Sequence, residues 1–175
     1  MQQWPSRLQG CQVVTLSACD SGHGAVAGDT ELSLPLGFLS AGARCVVATL
    51  WPVADGSTSL LMERFYGNLL GRTESARRVG SAAYPAGTAL PPAEALEEAR
   101  IWLRTLPWEE ASRRLAALDP AAATRLRGAV VQVGTGSANG AGAANGAAGT
   151  DGATPPPPFA SPASWAGFVL IGAHR

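Results

Sequence analysis

The chain has 175 residues, 46% of them hydrophobic and 15% charged, and its 13 basic residues, all arginines, cancel its 13 acidic ones. That length suffices for one domain with its own core, and a net charge of +0 without a long basic run argues against nucleic acid as the main partner. The N-terminus lacks a basic-then-apolar leader and no apolar run reaches membrane-spanning length, so a cytoplasmic protein with no membrane partner is expected.

The first element, "CQVVTLSAC", reads as a strand buried on both faces, closed by "DSGHG". In "ELSLPLGFLSAGA", Leu32, Leu36 and Leu39 fall on one helical face. Pro35 is tolerated only in a first turn, which predicts a helix start near Leu34, and Gly42 is the expected C-cap. "RCVVATLWPV" is a second buried strand, ended near Leu50 or Trp51 by Pro52. "DGSTSLLMERFYGNLLG" is a second helix, with Leu61, Phe65 and Leu69 inward, Asp55 or Ser57 as its cap and Gly71 at its end. Strand, helix and strand in this order predict a right-handed unit with parallel strands.

"RTESARRVGSAAYPAGTAL" reads as a loop or a short, weak helix. "PPAEALEEARIWLRTLP" is a third helix, with Leu96, Ala99, Leu103 and Leu106 on its inner face and Glu97 and Glu98 outward. "WEEASRRLAAL" is a fourth, with Ala111, Leu115 and Leu118 as its stripe; Asp119 then caps a further helix that has Pro120 in its first position. A weak strand pattern, "AVVQV", occupies 129–133. From 134 to 158 the Gly/Ala/Pro-rich composition predicts a disordered insertion, which stiffens toward its prolines. "SWAGFVLIGA" then returns as a strand through Phe168, Val169, Leu170 and Ile171. The organisation expected is a partial α/β domain over 8–133, the insertion over 134–158, and the domain's final strand over 159–173. Three strands make a thin sheet, and the chain opens just ahead of a central-strand pattern, so the N-terminal strands of a larger domain are expected to be missing.

Chemistry concentrates at the end of the first strand. Cys19 lies where open α/β sheets place their sites, and Asp20, Ser21 and Gly22 supply a loop whose backbone N–H groups are suited to an oxyanion hole. The competing reading is a small buried hydrophobe beside a turn, which composition alone favours. A cysteine nucleophile also needs a base. His23 follows Cys19 too closely to reach it without a tight reversal, and His174 sits in the terminal tail. Cys11 and Cys45 read as core. Asp55 and Ser57 share the sheet end with Cys19: Asp55 as a possible pocket residue, Ser57 as a plain helix cap. With three cysteines and two histidines there is neither a disulfide framework nor metal-ligand spacing, so no metal and no cofactor is expected.

The blocks "VVTLSACDSGHG", "GDTELSLPLGFLSAGARCVVATLWPVADGSTSLLMERFYGNLL", "PPAEALEEARIWLR" and "PFASPASWAGFVLIGA" resemble the C-terminal half of a CHAT domain, the caspase-like peptidase domain often found behind tetratricopeptide repeats. The resemblance spans residues 8–72, 91–106 and 158–173; residues 107–157 look foreign to it. It implies a caspase-like three-layer sandwich, a mostly parallel sheet with helices on both faces. It further implies that Cys19 is the catalytic cysteine of a hydrolase acting on a peptide or protein substrate, with a repeat domain as partner. The family's histidine, in a "His-Gly" strand-end motif, would precede this chain. Ser161 of "SPASW" stands where the family commonly has histidine, and Ala54 replaces the first member of an acidic pair whose second is Asp55. The nucleophile side of a cysteine peptidase is therefore expected without its base. The alternative is a non-catalytic remnant or interaction module of a signalling protein.

Overall fold

In the computed structural model, residues 8–16, 30–126 and 156–172 are described. Strand β1 (Val13–Thr15) leads by way of residues outside that set to helix α1 (Thr30–Ser40), and strand β2 (Cys45–Thr49) lies parallel to β1 with Val13 opposite Cys45 and Thr15 opposite Val47. The helix begins earlier than Pro35 predicts, and Pro35 sits buried inside it. Only one intrahelical N–H is forfeited there, and burying the ring against the protein offsets it. The inward side of α1 carries Pro35, Phe38 and Leu39, while Leu36 and Leu34 are exposed, so the expected Leu36 contact is not made. Gly42 closes the turn at φ +106, with its N–H donating to the Leu39 carbonyl.

Helix α2 (Asp55–Leu69) buries Leu60, Leu61 and Phe65 completely, each contributing about 1.5–3 kcal/mol. Neither expected side chain caps its start: Ala54 is the N-cap residue and Ser57 Oγ donates back to the Ala54 carbonyl at 2.8 Å. Gly71 ends the helix at φ +64, as its position predicts. The segment expected to be loop or weak helix is a hairpin of β3 (Arg77–Val79) and β4 (Ala82–Tyr84), joined by Gly80 and Ser81. Gly80 takes φ +56, the first central position of a II′ turn. A Gly-Ser pair between short runs is a hairpin signal; three-residue strands are too short for alternation to reveal them.

Helix α3 (Pro92–Thr105) buries Leu96, Ala99 and Leu103, with Leu106 just beyond it. Helix α4 (Trp108–Leu118) buries Ala111 and Leu115 but leaves Leu118 exposed at its end, where no neighbour covers the last turn. Asp119 Oδ1 accepts the N–H groups of Ala121 and Ala122, each at 3.0 Å, and so caps the helical residues 120–126 as expected. The weak strand at 129–133 and the insertion up to residue 155 fall outside the described residues.

A short 3₁₀ turn (Pro162–Ser164) feeds β5 (Phe168–Gly172), which pairs antiparallel with β2: Thr49 opposite Phe168, Cys45 opposite Gly172. Among the described residues the sheet order is β1-β2-β5, mixed rather than mostly parallel. The reason is local. The incoming turn is held at the carboxyl end of β2, where Leu50 N–H donates to the Gly167 carbonyl and Trp51 Nε1 to that of Ala163. A strand entering at that edge must run back along β2. Val13, Val47, Phe168 and Leu170 share the sheet face that meets the core of α2, α3 and α4.

Candidate functional site

The carboxyl ends of β1 and β2 share one edge because the two strands are parallel. Leu16 N–H still donates to the Val47 carbonyl at 2.8 Å, so β1 keeps its pairing one residue past its last strand residue. Thr15 Oγ1 and the Tyr66 hydroxyl of α2 are 2.7 Å apart, a tie between the end of β1 and the helix that follows β2. Cys19 is four residues further along the chain than Thr15. Cys19, Asp20, Ser21, Gly22 and His23 lie outside the described residues, as does His174.

On the β2 side of the same edge, the Trp51 indole lies against Gly167: a Cβ built there would stand 2.8 Å from Trp51 Cε2, so only glycine admits the ring. The turn containing Ser161 is thereby held beside the β2 end. Asp55 is exposed in the first turn of α2, and its Oδ2 accepts from Arg125 Nη2 at 3.5 Å. Its neighbour Ser57 is buried and occupied with the Ala54 carbonyl. Of the residues named from sequence, Asp55 and Ser57 are thus brought to the same sheet edge as the β1 end.

Of the other cysteines, Cys45 takes the core place expected of it, while Cys11, expected in the core as well, is only half-buried because it precedes β1 rather than lying within the sheet. Cys45 is fully buried at the start of β2, at the end away from this edge, and its Sγ donates to the Gln12 carbonyl at 3.1 Å. Burial pushes its thiol pKa up and the nearby Cys11 adds to this, against a lowering by Arg44. A thiol kept protonated in this way is a poor nucleophile. Cys11 is half-buried before β1, with its Sγ 3.5 Å from the Val13 carbonyl. Among the described residues no group of His, Cys, Asp and Glu is arranged to hold a metal ion, and no helix is long and apolar enough to cross a membrane.

A buried polar cluster between α2, α3 and the β3–β4 hairpin was not predicted. Glu98, expected to face outward, is 6% exposed. Its carboxylate accepts from Arg64 Nε at 2.9 Å, from Arg64 Nη2, and from Asn68 Nδ2 at 2.6 Å. Asn68 Oδ1 in turn accepts from Thr73 Oγ1 at 2.9 Å and Arg77 Nη1 at 3.0 Å, while Arg77 Nη2 reaches the carbonyls of Pro85 and Thr88. Burial lowers the Arg77 pKa from its ordinary value, Glu98 raises it, and Arg64 lowers it. The cluster fastens the hairpin to α2 and α3. Its one sequence signal is Asn68, which falls on the same face of α2 as Leu61 and Phe65.

Comparison with known proteins places these features. A family model described as "CHAT domain" matches residues 2–173. Tetratricopeptide repeat protein 28 of Mus musculus is 34% identical over 71 residues, which cover 41% of this chain and 3% of that protein. Its Homo sapiens counterpart is 31% identical over 71 residues, with the same coverage of 41% and 3%. The chain thus spans a small fraction of the length of these curated relatives. No solved structure gives a significant match.

Proposed function

The chain belongs to the CHAT domain family, and from that premise we propose that it carries the nucleophile of a caspase-like cysteine endopeptidase, Cys19. The observation that supports the reading is the parallel pairing of β1 and β2. The connection bearing Cys19 and the one bearing Asp55 leave the same edge of the sheet, the edge at which open α/β sheets build their sites. In this reading the Cys19 thiolate attacks the carbonyl carbon of a peptide bond. Backbone N–H groups of the Asp20–Gly22 loop hold the oxyanion. The thiol proton of Cys19 has passed to an imidazole, the C–N bond breaks as that imidazolium returns the proton to the leaving amine, and water hydrolyses the thioester on Cys19. Asp55 lies at the rim, where its carboxylate is available to a basic substrate side chain once Arg125 yields it. The layered fold with helices on both sheet faces belongs to the same reading. So does a repeat-domain partner, for which the support is the name of the matched relatives.

The test is cleavage of a mixed peptide library by the full-length protein, by Cys19→Ala, and by His23→Gln and His174→Gln separately. Loss of cleavage on Cys19→Ala alone is the expected result. The two histidine variants report whether either imidazole is the base. Cleavage that persists in Cys19→Ala overturns the nucleophile assignment, and absence of cleavage from every form leaves a non-catalytic remnant or interaction module as the reading.

A further inference from the structure

Strand β1 is paired with β2 along one side, and among the described residues its other side bears no strand. Its ladder closes one residue past the strand, where Leu16 N–H donates to the Val47 carbonyl at 2.8 Å. Cys19 follows three residues later, within about 11 Å of that last bond at the reach of an extended chain. A strand end held from one side only is where fraying begins, so a second tie at this end decides how firmly the connection starts. Side chains alternate along a strand, so Val13 and Thr15 share a face, the one on which Val47 meets the core of α2. Val13 packs against that core, while Thr15 Oγ1 meets the Tyr66 hydroxyl at 2.7 Å and joins residues 51 apart in sequence.

The core has little need of Tyr66. It is 43% exposed, whereas Leu61 and Phe65 of the same helix are fully buried. Its ring lies tilted against Phe65 with the centroids 5.3 Å apart, and the phenol hydroxyl is the group that reaches β1. The helix is anchored on both sides of Tyr66. Arg64 donates to Glu98, and Asn68 donates to Glu98 and to the Ala95 carbonyl of α3. The hydroxyl pair therefore links a firmly held segment of α2 to the last residue of β1.

We infer that Tyr66 is a positioning residue for the candidate nucleophile: through Thr15 it fixes the end of β1 from which the connection bearing Cys19 leaves. The inference rests on the reading of Cys19 as the nucleophile. A reacting group must be held within about 0.5 Å of its productive place, and a misplacement of about 1 Å lowers the rate by about a hundredfold. The hydroxyl pair acts on that placement through the backbone of β1 and not through contact with substrate. A tyrosine that served packing alone would be replaced by phenylalanine without loss.

The test uses the full-length protein, with the best-cleaved member of the mixed peptide library as substrate. Tyr66→Phe and Thr15→Val each remove one hydroxyl and keep the shape of the side chain. Each is expected to lower kcat about tenfold with KM unchanged, and the double variant to fall no further than either alone, because one bond is shared. Hydrogen exchange at the Leu16 amide is expected to quicken in all three while the urea midpoint stays near that of the wild type. Thr15→Ser, which keeps the hydroxyl, is expected to retain most of the activity. Wild-type kcat in Tyr66→Phe, additive losses in the double variant, unchanged exchange at Leu16, or a loss of activity that a lowered urea midpoint explains overturns the inference. Cys19→Ala separates the two ways of failing. If it is inactive while Tyr66→Phe is fully active, the nucleophile stands and the positioning role fails; if it cleaves as the wild type does, the nucleophile reading fails. A wild-type protein that cleaves no peptide removes both.

Discussion

Replacing Glu98 by alanine tests the buried cluster at its hub. The Glu98 and Arg64 side chains are 8% and 13% exposed, so solvent does little to screen their charges. The carboxylate accepts from both Arg64 and Asn68. Alanine leaves the Arg64 guanidinium without its anion and the Asn68 amide with one acceptor, the Ala95 carbonyl. Breaking a buried pair in this way costs about 3–5 kcal/mol. The Trp102 ring, 5.4 Å from the Arg64 guanidinium carbon, and the remaining exposure of Arg64 place the expected loss at the lower end, about 3 kcal/mol. Glu98→Gln keeps an acceptor for Asn68 but loses the charge, and about 1.5–3 kcal/mol is expected. Urea unfolding followed by tryptophan fluorescence measures both. A loss below about 1 kcal/mol for Glu98→Ala would show that the carboxylate is not the partner on which Arg64 and Asn68 depend.

Three further outcomes follow from local geometry. Gly71→Ala is expected to cost more than Gly80→Ala in thermal unfolding: both glycines have positive φ, but a Cβ at Gly71 stands 2.6 Å from the Gly87 carbonyl oxygen while Gly80 has open space; the strain common to both is about 1–3 kcal/mol, and equal costs would refute the clash. Gly167→Ala is expected to destabilise by about 1–3 kcal/mol through displacement of Trp51, with a changed Trp emission; an unchanged spectrum and midpoint would show that the ring moves freely. Burial raises the Cys45 thiol pKa above its ordinary value, so the unfolded chain releases this proton first, and stability falls as pH rises through that ordinary value and beyond. Urea midpoints at pH 8 and pH 10, compared in the wild type and Cys45→Val, detect it, and an identical alkaline loss in both forms would refute it.

What sequence patterning reveals here depends on length of element and sharpness of signal. β2, β5, α2 and α3 are legible because each combines a continuous or periodic apolar run with a terminating residue: Pro52 after β2, Gly71 after α2, Pro107 after α3. The parallel pairing of β1 and β2 follows from the helix between them, and Asp119-Pro120 announces the cap that the hydrogen bonds display. The hairpin escapes because two three-residue strands carry too few alternations, although Gly80-Ser81 marks its turn. Glu98 escapes because helical spacing assigns a charged residue to solvent unless a buried partner is known, and its partners Arg64 and Asn68 come from another helix. The direction of β5 escapes because no local pattern encodes which sheet edge a returning strand enters; Trp51, Gly167 and Ala163 settle it through tertiary contact. For the candidate site, Asp55 reaches the expected edge, but its bond to Arg125 joins residues seventy apart in sequence, which periodicity does not register.

The central claim is that Cys19 is a reactive nucleophile while Cys11 and Cys45 are structural, and site-resolved labelling tests it most directly. The full-length protein is treated with a peptidyl acyloxymethyl ketone across a pH series, and the adduct at each cysteine is quantified by peptide mass mapping. The account predicts selective labelling at Cys19, with little at Cys11 and none at the buried Cys45, and a rate that becomes rapid below the ordinary thiol value of about 8.5 only where an imidazole partners Cys19. Labelling of Cys19 no faster than Cys11 would contradict it.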